Sequence, residues 1–242
     1  QTKSILMYIE GITQARKFMS AARHFARTKP IIVVKAGRFS ESAKAAASHT
    51  GALTGSDMTY NSALRRAGIV RVEHIGDLFN CAEVLGVQPL PRGPRLAIVT
   101  NAGGPGVMTA DALIAEGGKL AELDPKTIAE LDKVLPPFWS RGNPIDILGD
   151  AKSDRYEAVV NACIKDENID GMLIIYTPQG VADPAEIAKS ITKIVKKRCC
   201  NKPVLTSFMG YEEVDEANKF LNQNNVPTYS TPEQGVKTYM YM

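Results

Sequence analysis

The sequence predicts an α/β protein built on doubly wound parallel sheets. Short apolar runs of strand length alternate with helical patterns along the whole chain. One arrangement also occurs twice, because an apolar run, a helical pattern and a Lys-Pro-apolar run follow each other at 4–33 and again at 171–205. The chain has 242 residues, of which 44% are hydrophobic and 23% charged, so it can bury a sizeable core.

The first part of the chain contains three strand patterns separated by helical ones. We predict strands at 4–9, 31–35 and 69–72 and helices at 13–27, 57–66 and 75–85. Ser56 and Gly68 flank the second of these helices. Serine is a preferred N-cap and glycine a frequent C-terminal stop, so both residues support its bounds.

The second part predicts a complete flavodoxin-like domain. Its strands are expected at 95–100, 145–148, 171–176, 203–207 and 226–229, and its helices at 105–116, 125–134, 153–166, 183–196, 211–222 and 231–241. Asp124 followed by Pro125 is a typical helix start. Five parallel strands complete a flavodoxin-like sheet, whereas the first part matches only its last three. We therefore expect the first flavodoxin-like domain to be N-terminally truncated, with its other strands upstream of Gln1.

Proline and glycine mark the boundary between the two parts. Three prolines occur in the segment from Gly86 to Pro94, at 89, 91 and 94, which indicates a stiff linker. The predicted organisation is a first domain at 1–87, a linker at 88–94 and a second domain at 95–242.

Composition and charge exclude several classes of function. The net charge is +3, and no basic run with interleaved aromatic residues occurs, so we expect no nucleic acid partner. The apolar runs are too short to span a membrane, and we expect neither a membrane span nor a signal peptide. Four cysteines without CxxC spacing, at 81, 163, 199 and 200, indicate reduced thiols rather than a metal site. A cytoplasmic location is expected.

A segment rich in small residues around His49 occurs only in the first copy of the repeat. This segment, from Arg38 to Gly55, has no apolar period. We expect it to be the most mobile internal part of the chain, and its histidine suits a nucleophile that meets more than one partner. The alternative is a surface histidine without a functional role, an interpretation that fits His24 and His74 better than His49.

Two further candidates follow predicted strands, where side chains of a parallel sheet face a ligand crevice. Glu10 follows the first strand, and there it could accept a proton from an imidazole; the alternative is a plain turn carboxylate. The run Asn101-Ala-Gly-Gly-Pro-Gly106 leads from a strand into a helix, which suits a phosphate cradle. It matches neither the dinucleotide fingerprint nor a Walker A loop, and a tight turn without a ligand is the alternative.

Several motifs together resemble the NDP-forming acyl-CoA synthetases, which include ADP-forming acetyl-CoA synthetases. The motifs are Tyr8-Ile-Glu-Gly11, Lys35-Ala-Gly-Arg38, Ser48-His-Thr-Gly-Ala-Leu-Thr-Gly55, Asn101-Ala-Gly-Gly104, Asn143-Pro-Ile-Asp146 and Thr177-Pro-Gln179. They occur in the family's order over essentially the whole chain.

The resemblance implies a role for each matched residue. His49 resembles the histidine that is transiently phosphorylated, and Glu10 the glutamate that stabilises it. Ser48, Thr50 and Gly51 would support the histidine. The four residues of one helix N-terminus beside the active-site phosphate would be Asn101, Ala102, Gly103 and Gly104.

The resemblance also implies substrates and partners. The whole enzyme would use CoA, ATP or ADP with Mg²⁺, and phosphate, with no cofactor bound in this part. A CoA-binding Rossmann domain and an ATP-grasp module or subunit would be needed, an oligomer is expected, and this part alone would be inactive. Two alternatives are a ligand-sensing region of a protein acyltransferase and a non-catalytic nucleotide- or phosphate-binding flavodoxin-like module.

Overall fold

The structure, a computed structural model, describes residues 2–39, 41–42, 56–197 and 201–242. The chain divides into two compact units, one formed by Gln1–Gly86 with Tyr241 and the other by Val87–Met240 with Met242. Within the described ranges, no helix combines the length and apolar character that crossing a membrane requires. The predicted sites at Ser48, His49, Thr50 and Gly51, most of the segment expected to be mobile, and Cys199 and Cys200 lie outside the described residues.

The first unit is a three-stranded parallel sheet with helices on both faces. Its elements are β1 (Ile5–Ile9), α1 (Ala15–Phe25), β2 (Ile31–Lys35), α2 (Asp57–Arg66), β3 (Val70–Val72) and α3 (Ile75–Val87), and the strand order is β1-β2-β3. All five residues of the central strand β2 are buried because both faces are covered. Ile31 and Val33 pack with residues of α1 and α2, while Ile32 and Val34 pack against α3. The predicted strands and helices of this part are confirmed.

The second unit is a five-stranded parallel sheet. Its elements are β4 (Arg95–Thr100), α4 (Gly103–Ala115), β5 (Lys119–Leu120), α5 (Pro125–Leu131), β6 (Ile145–Asp146), α6 (Ser153–Lys165), β7 (Gly171–Tyr176), α7 (Pro184–Lys197), β8 (Val204–Phe208), a 3₁₀ turn (Tyr211–Val214), α8 (Asp215–Gln223) and α9 (Pro232–Tyr241). The order is β5-β4-β7-β8, and β6 pairs with the end of β4. The predicted α/β class with parallel sheets is confirmed, and the repeat in the sequence corresponds to β1–α1–β2 and β7–α7–β8.

Two details of the second sheet differ from the sequence prediction. The strand expected at 226–229 is reduced to a single bridge between Thr206 and Thr228. Pro227 lacks an N–H group and therefore cannot extend the ladder. The short strand β5 was not predicted, because it follows Gly117 and Gly118 and has no apolar run of its own.

Candidate functional site

Glu10 lies at the C-terminal edge of the first sheet, directly after β1. A hydrogen bond from Ala36 N to Ile9 O, of 3.0 Å, extends the pairing of β1 and β2 to this point. The Tyr8 hydroxyl donates to Oε1 of Glu10 at 3.2 Å. The other oxygen, Oε2, is buried and has no hydrogen-bond partner among the described residues. Glu10 therefore keeps one buried acceptor for a further donor.

The surroundings of Tyr8 favour its role as a donor to Glu10. Partial burial, together with the hydrogen bond to Glu10 and the negative charge of that carboxylate, raises the pKa of Tyr8. A raised pKa favours the protonated phenol, which is the form that donates to Oε1.

Lys35, at the end of β2, is a buried cation that the sequence analysis did not assign to the site. Its side chain is 2% exposed, and Nζ donates to the carbonyl of Ala36 and lies 4.7 Å from the ring centroid of Tyr60. Burial lowers the pKa of Lys35; the charge of Asp57 acts to raise it, Arg71 to lower it and Glu10 to raise it. A lysine among buried valines of a central strand is the signal that could have identified it.

Arg38 follows β2 and reaches the same edge of the sheet. The chain turns at Gly37, whose φ of 67° lies in the left-handed region that glycine adopts without strain. One terminal nitrogen of Arg38 lies 3.6 Å from Oε1 of Glu73, and its guanidinium carbon lies 5.9 Å from the ring centroid of Phe39. Its Nε is buried and has no hydrogen-bond partner within the described part of the chain.

In the second unit, Asn101 joins the ends of two neighbouring strands. It is 3% exposed and follows β4. Its Nδ2 donates to the carbonyl of Thr177 at 2.8 Å, and its Oδ1 accepts from the Thr177 backbone N at 2.9 Å and hydroxyl at 3.2 Å. Gln179 donates to the Thr177 hydroxyl at 3.1 Å. The Asn101 side chain, at the beginning of the predicted phosphate cradle, therefore binds the protein itself through its oxygen and its nitrogen.

The start of α4 leaves backbone amides without intrahelical acceptors. The amide of Ala102 donates to Oγ1 of Thr100 at 3.0 Å, and Pro105 has no amide hydrogen. Gly103 and Gly104 begin the helix, and amides in the first turn have no carbonyl one turn earlier to bind. Among the described residues, the donors left at this helix start are therefore these two glycine amides.

The glycines at the start of α4 differ in what surrounds them. A Cβ at Gly106 would lie 2.8 Å from Cγ2 of Thr100, so the helix can approach the end of β4 this closely only with glycine at that position. A Cβ at Gly103 would lie 3.1 Å from Oδ2 of Asp146. A Cβ at Gly104 would meet no described atom within 4 Å, so glycine is not required there by close packing.

A doubly wound parallel sheet with a glycine-rich helix start at its C-terminal edge defines a flavodoxin-like α/β protein. Residues 1–85 match the succinyl-CoA ligase like flavodoxin domain, and residues 96–238 match the ligase-CoA domain. The chain therefore belongs to the ligase-CoA domain family. The resemblance to NDP-forming acyl-CoA synthetases is confirmed.

Similar proteins match almost the whole chain. The alpha subunit of the ADP-forming acetate–CoA ligase II of Pyrococcus furiosus is 40% identical over 235 residues, which is 96% of this chain and 51% of the relative. The ADP-forming 4-hydroxybutyrate–CoA ligase of Nitrosopumilus maritimus is 36% identical over 244 residues, 100% of this chain and 34% of the relative. The chain spans about half the length of the alpha subunits it matches.

A solved structure shares the fold over nearly the full chain. It is the dinucleotide forming acetyl-coenzyme A synthetase 1 of Ca. Korarchaeum cryptofilum in complex with phosphate and ADP. The TM-score is 0.93 and the identity 38%, over 99% of this chain and 52% of that one.

Proposed function

We propose that this chain is the phosphohistidine-bearing part of an NDP-forming acyl-CoA synthetase. The whole enzyme would be an acid–thiol ligase that interconverts acyl-CoA, ADP and phosphate with the free acid, CoA and ATP. The observation that carries the proposal is the buried Oε2 of Glu10, which has no partner among the described residues, in a chain similar to ADP-forming ligases over nearly its full length.

The proposed cycle begins with the formation of an acyl phosphate. A phosphate oxygen attacks the thioester carbonyl, the C–S bond breaks, and CoA leaves as a thiolate that takes up a proton. An imidazole nitrogen of His49 then attacks the phosphorus, and the carboxylate leaves as the free acid. A β-phosphate oxygen of ADP finally attacks the phosphohistidine, which forms ATP and restores the imidazole.

Glu10 is the proposed partner of His49 in this cycle. A carboxylate that accepts the N–H of one ring nitrogen leaves the other nitrogen with its lone pair for attack. It also stabilises the positive charge that the ring gains when the N–P bond forms. Since Tyr8 already donates to Oε1, the buried Oε2 is the oxygen proposed to accept from the imidazole.

The helix start at α4 is the proposed cradle for phosphate. The amides of Gly103 and Gly104 would donate to phosphate oxygens, and the helix dipole adds to the attraction. Asn101 would act by positioning the cradle, since its amide group binds Thr177. The amide of Ala102 is held by Thr100, so Ala102 would contribute through backbone shape.

The remaining parts of the reaction are proposed to lie outside this chain. CoA would be bound by a Rossmann domain and Mg²⁺-ADP by an ATP-grasp module or subunit, within an oligomer in the cytoplasm. The relatives, which are longer than this chain and carry ligase names, support this arrangement over the acyltransferase sensor and the non-catalytic module.

Phosphorylation of His49 tests the proposal. The full-length enzyme, given ATP labelled at the γ-phosphate and Mg²⁺, should acquire label that acid removes and base does not, as expected for an N–P bond. His49→Ala should abolish the label. His24→Ala, which alters a histidine in the last turn of α1, should retain it and serves as the control. Acid-stable label, or label retained in His49→Ala, would overturn the assignment.

A further inference from the structure

Lys35 is a buried cation that has no part in the proposed cycle. It ends the central strand β2, whose other residues are buried isoleucines and valines. Among the described residues, no carboxylate forms an ion pair with it. A buried charge without a paired carboxylate costs stability, so packing alone does not explain a lysine at this position.

The ammonium group of Lys35 contacts a side chain that holds the turn after β1. Nζ lies 4.7 Å from the ring centroid of Tyr60 in α2, a distance at which a cation is attracted to an aromatic ring. The hydroxyl of Tyr60 accepts a hydrogen bond from the backbone amide of Ile12 at 3.0 Å. Ile12 is the second residue after Glu10, so Tyr60 anchors the chain just beyond the carboxylate.

The same ammonium group contacts the residue that anchors the chain on the other side of Glu10. Nζ of Lys35 donates to the carbonyl of Ala36, and the amide of Ala36 donates to the carbonyl of Ile9 at 3.0 Å. Glu10 therefore lies between two backbone anchors, one at Ile9 and one at Ile12. Lys35 contacts the partner residue of each anchor.

We propose that Lys35 is a positioning residue, which holds the turn after β1 through Tyr60 and Ala36 and thereby fixes the direction of the Glu10 carboxylate. Lys35 acts through these two residues and not on the reacting atoms. A catalytic group must be held within a fraction of an ångström of its working geometry, and supporting contacts provide this precision. This inference rests on the proposed function, because it concerns the carboxylate of the same site.

The positive charge of Lys35, rather than its bulk, carries this role. The charged groups around it are Asp57 of α2, Arg71 of β3 and Glu10 after β1, and Asp57 is itself bound by Arg71. Burial lowers the pKa of Lys35, so it loses its proton at a lower pH than an exposed lysine does. A neutral amine is not attracted to an aromatic ring as a cation is, so the contact with Tyr60 should weaken as pH rises through that pKa.

Hydrogen exchange at the Ile12 amide tests these contacts directly in the full-length enzyme. Tyr60→Phe removes the hydroxyl that accepts from Ile12 and should speed exchange roughly twofold to tenfold. Lys35→Met removes the charge, keeps an unbranched side chain and should also speed exchange. Lys189→Met, which alters an exposed lysine of α7, is the matched control and should leave exchange unchanged. Exchange at the parental rate in Lys35→Met would overturn the inference.

The pH dependence of phosphorylation separates positioning from a structural role. Labelling of the parental enzyme from ATP should slow as pH rises between about 8 and 10, because Lys35 loses its charge. Lys35→Met should label roughly threefold to thirtyfold more slowly at neutral pH and lack this decline. Its unfolding temperature should not fall, since an apolar side chain replaces a buried charge.

Two results of the labelling experiment would overturn the inference. One is labelling of Lys35→Met at the parental rate, and the other is slower labelling that keeps the parental decline with pH. Absence of label in the parental enzyme would instead overturn the proposed function, and exchange at the Ile12 amide would still decide whether Lys35 holds the turn.

Discussion

Replacing Glu10 by glutamine separates its proposed chemical role from its place in the fold. The glutamine carbonyl oxygen can still accept from the Tyr8 hydroxyl, which now binds Oε1 at 3.2 Å. The change falls on the buried Oε2, where an amide NH₂ replaces an acceptor by a donor. Loss of a hydrogen bond to a charged group costs about 1.5–3 kcal/mol. If the bond acts in the transition state, phosphorylation of His49 slows roughly tenfold to hundredfold.

The assay for Glu10→Gln is rapid-quench labelling of the full-length enzyme with ATP and Mg²⁺, paired with a thermal unfolding scan. The labelling rate should fall while the unfolding temperature stays close to that of the parent, because the contact with Tyr8 is retained. Glu122→Gln, which neutralises an exposed carboxylate in the second unit, is the control. A labelling rate equal to that of the parent would refute the reasoning and make Glu10 an ordinary carboxylate of a strand-end turn.

Two further predictions concern charge and thiol reactivity in the second unit. Asp170 is 4% exposed and binds Arg95 through both carboxylate oxygens at 2.8 Å, and these hydrogen bonds hold the pKa of Asp170 below its usual value. Because the folded-state pKa is depressed, the stabilisation is present above the ordinary pKa and is lost as pH falls. Arg95→Met should therefore lower the free energy of unfolding in urea at pH 7 and lower it by less near pH 3. Equal losses at the two pH values would contradict this. Burial raises the pKa of Cys163 to about 12, so its thiol should react slowly in the folded protein. Peptide mapping after thiol alkylation at pH 8 should find Cys163 unmodified in the native protein and modified in urea. Alkylation of Cys163 in the native protein would contradict its buried position.

Alternating apolar runs and helical patterns were enough to predict most of the fold. The run Ile-Ile-Val-Val at 31–34 predicts a buried central strand, and β2 is that strand. Failures occurred where pairing depends on neighbours rather than on the segment itself. The strand β5 consists of two residues that pair with Arg95 and Leu96 of β4, and the sequence Lys119-Leu120 has no pattern that predicts this pairing. The tract around Thr228 looks like a strand, but Pro227 limits it to one bridge.

Sequence identifies residues at an edge but not the direction in which each side chain forms its bonds. The motif at Asn101 predicts a phosphate cradle at a helix start, but the sequence does not reveal that the Asn101 amide group joins the ends of β4 and β7. The Arg38 side chain, whose Nε is buried, follows the turn of the chain at Gly37, and residue spacing does not predict the direction of that turn. The role of His49 stays a prediction, because that residue lies outside the described part of the chain.

The strand β1 has a practical consequence for protein production. In the order β1-β2-β3, it is an outer strand of the described sheet, and its side chains Leu6 and Tyr8 are 38% and 59% exposed. An outer strand with apolar side chains and unpaired backbone groups is a template for pairing with another molecule. Expression of these 242 residues by themselves would therefore favour self-association and inclusion bodies. Leu6→Lys, which places a charge on the outer strand, is the change expected to improve solubility.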